Sequence, residues 1–89
     1  MALSGMDIGQ IRTLARQMNQ DAADISSQIA SLTTQIDSAP WSGNDRERFT
    51  RHWRDTHVAA LRRVVSSLEN ASRQALEYAR LQEDASRAR

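Results

Sequence analysis

Apolar residues follow a helical repeat along most of the first half of the chain. They recur in steps of four and three, at Ile11, Ala15, Met18, Ala22, Ile25, Ile29, Leu32 and Ile36. That spacing keeps one face of an α-helix apolar and is typical of a helix packed against others. Ser4, with Asp7 three residues later, predicts an N-cap and capping box. We therefore predict helix one over about residues 5–37.

A second amphipathic helix is predicted over about residues 45–82. Pro40 disfavours helical backbone at the preceding residue and ends helix one, whereas Asn44 is a preferred N-cap. The apolar positions that follow are Phe49, Trp53, His57, Ala60, Leu61, Val64, Leu68, Ala71, Ala75 and Tyr78, with Val58, Val65 and Leu76 beside them. This stripe is wider than one neighbouring helix can cover, so we expect further helices to pack on it. Residues 83–89 have no apolar repeat and are predicted to fray.

The two helices and the turn at residues 38–44 predict an all-α antiparallel hairpin, a single domain over residues 1–89. Two helices of this length bury little surface alone. We therefore predict that hairpins pair into a four-helix bundle dimer. The residues predicted to pack within the hairpin or the dimer are Ile11, Met18, Ile25, Ile29, Leu32, Ile36, Phe49, Trp53, Leu61, Val64, Val65 and Leu68.

Composition excludes some classes of function. The chain has no cysteine, so a disulfide framework and a thiolate metal site are both excluded. The net charge of +1 argues against a general polyanion binder. The N-terminus lacks the basic and apolar regions of a signal peptide, and no apolar run is long enough to span a membrane. Taken alone, these features predict a soluble cytosolic protein.

His52, Asp55 and His57 form the cluster that most resembles a chemical site. The two histidines are five positions apart, and on an α-helix this spacing points their side chains about 140° from each other. Zinc-binding histidines on one helix need a spacing of four, or a ligand from elsewhere. We therefore expect no catalytic site, no metal and no cofactor.

Arginines make residues 40–63 locally basic. Asp45 and Glu47 lie among them, and Glu47 with Arg51 forms a favourable (i, i+4) pair. This pattern favours a solvated face. A charge-complementary partner surface and a nucleic-acid binder remain alternatives, and the second predicts an affinity that falls steeply with salt.

The Trp41-Ser42-Gly43 triplet is the most informative feature of the chain, because it places a large aromatic residue in the turn between two helices. Trp41 could close the end of its own helix pair, or it could be bound by another protein. The two roles are compatible.

A chain of under a hundred residues, with two heptad helices and Trp-Xaa-Gly in the turn between them, resembles the WXG family. These early-secretory-antigen-like proteins are exported by type VII secretion systems. The resemblance covers the whole architecture, and its specific motif is Trp41-Ser42-Gly43. It implies a non-enzymatic hairpin that pairs with itself or with a paralogous chain. It also implies recognition by the secretion-system ATPase and secretion without a cleavable signal peptide, and no nucleic-acid or small-molecule ligand.

Many actinobacterial members of the family also have a tyrosine after helix two, with an acidic residue four positions later. Tyr78 matches the tyrosine, but position 82 is glutamine and the acids follow at Glu83 and Asp84. The resemblance therefore implies a recognition surface made of Trp41, Ser42, Gly43, Tyr78 and Glu83, with the acid displaced by one residue. The alternative function is an intracellular coiled-coil adaptor or regulator.

Overall fold

A computed structural model describes residues 7–87 as two helical arms joined by a turn. Helix one is α1 (Ile8–Ser38). Helix two, residues 44–87, consists of α2 (Asn44–His52), a π-helical turn (Trp53–Val58) and α3 (Ala59–Arg87). α1 packs along α3, and the molecule measures 69 × 18 × 16 Å. The prediction of an all-α chain with two long helices is confirmed.

The described part of helix one begins with a reciprocal cap. The Asp7 carboxylate accepts a hydrogen bond from the Gln10 backbone N–H at 2.7 Å, and the Asp7 N–H donates to Gln10 Oε1 at 3.0 Å. The prediction gave the cap to Ser4, which lies outside the described residues. Asp7, predicted to be its partner, is instead the N-cap itself, because Gln10 three residues later supplies the return bond.

Helix two extends to Arg87, so the prediction that the chain frays after residue 82 is wrong for residues 83–87. Charged pairs at helical spacing support this end instead of an apolar repeat. The pairs are Glu77–Arg80, Arg80–Asp84 and Glu83–Arg87. The hydrogen bond from Arg80 also lowers the pKa of the Glu77 carboxyl.

Small residues bring the two helices close together in the half of the hairpin away from the turn. Ala15 and Ala22 of α1 are buried there with Ala79 of α3. Ser72 of α3 is also buried, and its hydroxyl donates to the Ala15 carbonyl at 2.8 Å. These contacts run antiparallel, since Arg12 pairs with Glu83 at 3.2 Å. Nearer the turn the larger Ile29 fills the hairpin interface, meaning the residues between α1 and helix two.

Helix two turns a different stripe toward α1 than uninterrupted α-helical spacing predicts. Val64 is 47% exposed whereas Val65 is 8% exposed. Buried or half-buried positions of α3 recur in the same phase as Val65, at Leu61, Leu68, Ser72, Ala75 and Ala79. The physical reason is the π turn, in which each hydrogen bond spans five residues instead of four, so the stripe advances by one residue.

The predicted interface residues divide into three groups. Ile11, Ile29 and Val65 lie buried between the helices, and a second group is half-buried: Met18, Ile25, Ile36, Trp53, Leu61 and Leu68. Leu32, Phe49 and Val64 do not lie between the two helices of one chain, since all three are exposed. Beside Leu32, Thr33 accepts a hydrogen bond at 2.8 Å from the Trp53 indole N–H, which brings threonine to the interface instead of leucine.

Within residues 7–87, no helix has both the length and the apolar character that crossing a membrane requires.

Candidate recognition surface

The turn satisfies the carbonyl groups at the end of helix one with side chains from the turn and from helix two. The Trp41 indole N–H donates to the Ile36 carbonyl at 2.9 Å. The guanidinium of Arg46 donates to the Asp37 carbonyl. These carbonyls belong to the last turn of α1, where a helix leaves acceptors unpaired and where a positive charge is favourable. Trp41 therefore closes the end of its own helix.

The ring of Trp41 also stacks on Phe49 of α2. The two ring centroids lie 4.9 Å apart with an interplanar angle of 27°. The stack holds the indole in place, yet Trp41 remains 37% exposed. The side chain thus combines a fixed orientation with an accessible surface, which is what a residue bound by another protein requires.

Gly43 adopts a backbone conformation that favours glycine. Its φ is +60° and its ψ is −141°, and it stands as the N-cap of α2. No atom lies within 4 Å of the position that a Cβ would occupy, so the constraint comes from the backbone and not from crowding. Helix two consequently begins at Asn44, which was predicted to be its cap. Asp45 and Glu47 lie in the first turn, where negative charge is favourable.

Replacing Gly43 with alanine is expected to destabilise the hairpin by about 1–3 kcal/mol, the cost of holding a non-glycine residue at such an angle. Gly9→Ala is the matched control, because Gly9 is helical and alanine favours a helix by about 0.5–1 kcal/mol. Chemical denaturation monitored by circular dichroism measures both. Equal stability of the two variants would contradict the constraint at Gly43.

A pocket of about 740 Å³ opens beside the turn. Its lining includes Trp41, Phe49, Asp45, Arg48, His52 and His57. The prediction that the two histidines point far apart is wrong, because the π turn lies between them and residues five apart share a side of such a turn. His57 also lies near Trp53, with ring centroids 6.2 Å apart. Among residues 7–87, no group of three potential metal ligands converges.

Tyr78 and Glu83 do not form one surface within the chain. Tyr78 is among the most exposed apolar side chains of α3. Glu83 lies five residues on, about 140° around the helix, and pairs with Arg12 of α1. Both lie at the end of the hairpin opposite Trp41, because Glu83 is beside residue 12. One chain therefore separates the predicted recognition residues into two places.

One side of the hairpin carries five apolar residues, which we call the outward face. Leu14, Leu32, Val64 and Tyr78 are exposed there, and Ala71 is half-buried. Each of them directly precedes a residue that points into the hairpin interface, respectively Ala15, Thr33, Val65, Ser72 and Ala79. Moving back by one residue along an α-helix rotates the side-chain direction by about 100° around the helix axis. The sense of this rotation, relative to the chain direction, is the same in both helices. In two antiparallel helices that face each other, this rotation leads to the same side of the pair.

Comparison with known proteins finds no match to a family model, a curated protein or a solved structure. Function is therefore inferred from the turn and from the outward face.

Proposed function

We propose that the chain is a non-enzymatic protein of the WXG type, which pairs with a second hairpin and is exported in the folded state by a type VII secretion system. The main support is the position of Trp41-Ser42-Gly43 in the turn between two long helices. Trp41 there is fixed yet accessible, and Gly43 has a positive φ. A motif of three residues gains specificity from this setting.

Pairing is supported by the outward face. Four of its residues are large and exposed, namely Leu14, Leu32, Val64 and Tyr78. They lie on both helices, and on α1 the polar residues Gln17, Asp21, Asp24 and Gln28 occupy the same side between Leu14 and Leu32. Large exposed apolar side chains that share one side of a small protein support an interaction site there. A second hairpin of the same shape would cover the outward face and produce a four-helix bundle.

An antiparallel partner would also reunite the two separated recognition regions. In one chain Trp41 and Tyr78 lie near opposite ends of the hairpin. When two hairpins pair antiparallel, the turn of one lies beside the tail of the other. The dimer would then offer Trp41 of one chain together with Tyr78 of its mate to the secretion-system ATPase. The mate is a second copy or a paralogous chain, and secretion would need no cleavable signal peptide.

The second candidate is an intracellular coiled-coil adaptor. It is favoured by the tail, where position 82 is glutamine and Glu83 is engaged by Arg12. Such an adaptor would use the same outward face but would remain inside the cell. A strain that lacks the secretion ATPase distinguishes the two, because only the exported protein would accumulate in the cells of that strain.

Replacing Trp41 with alanine is expected to lower secretion by about 30-fold, the loss of affinity that follows from removing about 2 kcal/mol at a central aromatic residue. Trp41→Phe is the matched control, since it keeps a ring that can stack on Phe49. The secreted fraction is measured by immunoblot of medium and cells, and the dimer by light scattering. Secretion of the alanine variant at the wild-type level would show that Trp41 is not recognised.

A further inference from the structure

Two adjacent stripes of helix two could each pack against α1. Continuing the α-helical phase from Trp53 would place His57, Ala60, Val64, Ser67, Ala71, Gln74 and Tyr78 at the hairpin interface. The structure instead places there the residues one position later, Val58, Leu61, Val65, Leu68, Ser72, Ala75 and Ala79. Only the second stripe lacks histidine and glutamine. The phase changes within Trp53–Val58, the one π-helical segment of residues 7–87.

We propose that this π turn is a one-residue insertion that sets the register of helix two, deciding which stripe is buried in the hairpin and which is presented outward. The proposal does not depend on export. A single extra residue, accommodated as one wide turn, rotates everything after it by about 100° relative to a continuous α-helix. Val65 thereby turns inward and Val64 joins the outward face.

Contacts on both sides of the turn fix the two phases. Before it, the Trp53 indole donates to Thr33 of α1 at 2.8 Å. After it, the Ser72 hydroxyl donates to the Ala15 carbonyl at 2.8 Å. From Trp53 to Ser72 is 19 residues, and regular α-helical steps of four and three from Trp53 reach position 71 instead. The extra residue in the π turn allows both hydrogen bonds to form in the same hairpin.

Deleting Thr56 tests the proposal directly. Thr56 lies in the π turn, is exposed and does not line the pocket beside Trp41. Its removal makes the spacing from Trp53 to Val58 four, so a regular α-helix would keep the same interface. We expect the full-length variant to unfold cooperatively with a midpoint within about 5 °C of wild type or higher.

Deleting Ser27 is the matched control. Ser27 is a small, exposed residue in α1, where no wide turn can absorb the change. The interface positions of Ile29 and Ile36 would pass to Ala30 and Asp37. We expect a midpoint lower by more than about 15 °C, or no cooperative transition. Equal loss of structure in both variants would overturn the proposal, and so would equal tolerance of both.

Introduced cysteine pairs report which residues of helix two face α1, since the chain has no cysteine of its own. In the full-length protein, Ala15→Cys with Ser72→Cys is expected to form an intrachain disulfide under mild oxidation, visible as a faster band on a non-reducing gel. Ala15→Cys with Ala71→Cys should not. The same preference is expected after deletion of Thr56. Preferential cross-linking through position 71 in either background would overturn the proposal.

Discussion

Replacing Ala22 with aspartate is expected to abolish the folded hairpin, whereas the same change at Ala23 should alter its stability by no more than about 0.5 kcal/mol beyond the loss of helix propensity. Ala22 is 1% exposed at the narrow part of the hairpin interface, and Ala23 is exposed on the same helix. An uncompensated charge between the helices costs several kcal/mol. A small domain has only about 5–15 kcal/mol to lose.

The pair of variants separates burial from helix propensity. Both place aspartate in the middle of α1, so both lose the same intrinsic preference for helix. Only Ala22→Asp places the carboxylate against α3. Thermal unfolding monitored by circular dichroism should show a cooperative transition for Ala23→Asp and none for Ala22→Asp. Matching transitions would mean that Ala22 does not lie between the helices.

Placing glutamate at both Leu32 and Val64 is expected to weaken the proposed pairing of the hairpins by at least about 100-fold. Each apolar side chain contributes about 1.5–3 kcal/mol when it is buried, and 2.7 kcal/mol corresponds to about 100-fold in Kd. Both residues are exposed in the single hairpin, so neither fills the space between its two helices. Sedimentation equilibrium measures the dissociation constant, and circular dichroism measures the helix content.

Leu76 and Leu81 provide the control for this prediction. They are exposed to a similar degree as Leu32 and Val64, but neither precedes a residue of the hairpin interface, so they lie off the outward face. Glutamate at both positions adds the same charge to the chain. The dissociation constant of this control should stay within about threefold of wild type. If it rose as far as that of the first variant, net charge and not the outward face would govern association.

The sequence was sufficient to predict the two helices and the inward face of helix one. Ile11, Ala15, Ala22 and Ile29 keep an unbroken heptad spacing, and a straight α-helix converts that spacing directly into one buried stripe. The turn was equally predictable, because Pro40 restricts the backbone whereas Gly43 permits conformations closed to other residues.

The inward face of helix two was not predictable from spacing alone. Val64 and Val65 are both apolar, so either phase of the repeat gives a plausible interface. The choice depends on a contact distant in sequence, the hydrogen bond from Trp53 to Thr33, which needs a threonine inward where the repeat would place leucine. Comparing the composition of the two stripes would have favoured burial of the shifted one, since only the unshifted stripe includes His57 and Gln74.

The sequence names the residues of the candidate recognition surface, but it does not predict the contacts that they make. The motif identified Trp41, yet its hydrogen bond to Ile36 and its stacking on Phe49 depend on how the turn closes. Glu83 was predicted to act together with Tyr78 because the two lie close in sequence. Its position on the helix turns Glu83 toward α1, where its carboxylate pairs with Arg12 at 3.2 Å.

The most direct test of the proposed pairing is the molar mass of the purified chain, measured by light scattering from about 1 to 100 µM, the range in which a dimer of micromolar affinity forms. The prediction is a helical species of twice the 10.0 kDa chain mass. If the chain requires a paralogous mate, the prediction is a monomer that unfolds without cooperativity until the mate is added. A well-ordered monomer that unfolds cooperatively over the whole range would contradict the account, because its outward face would then need no cover.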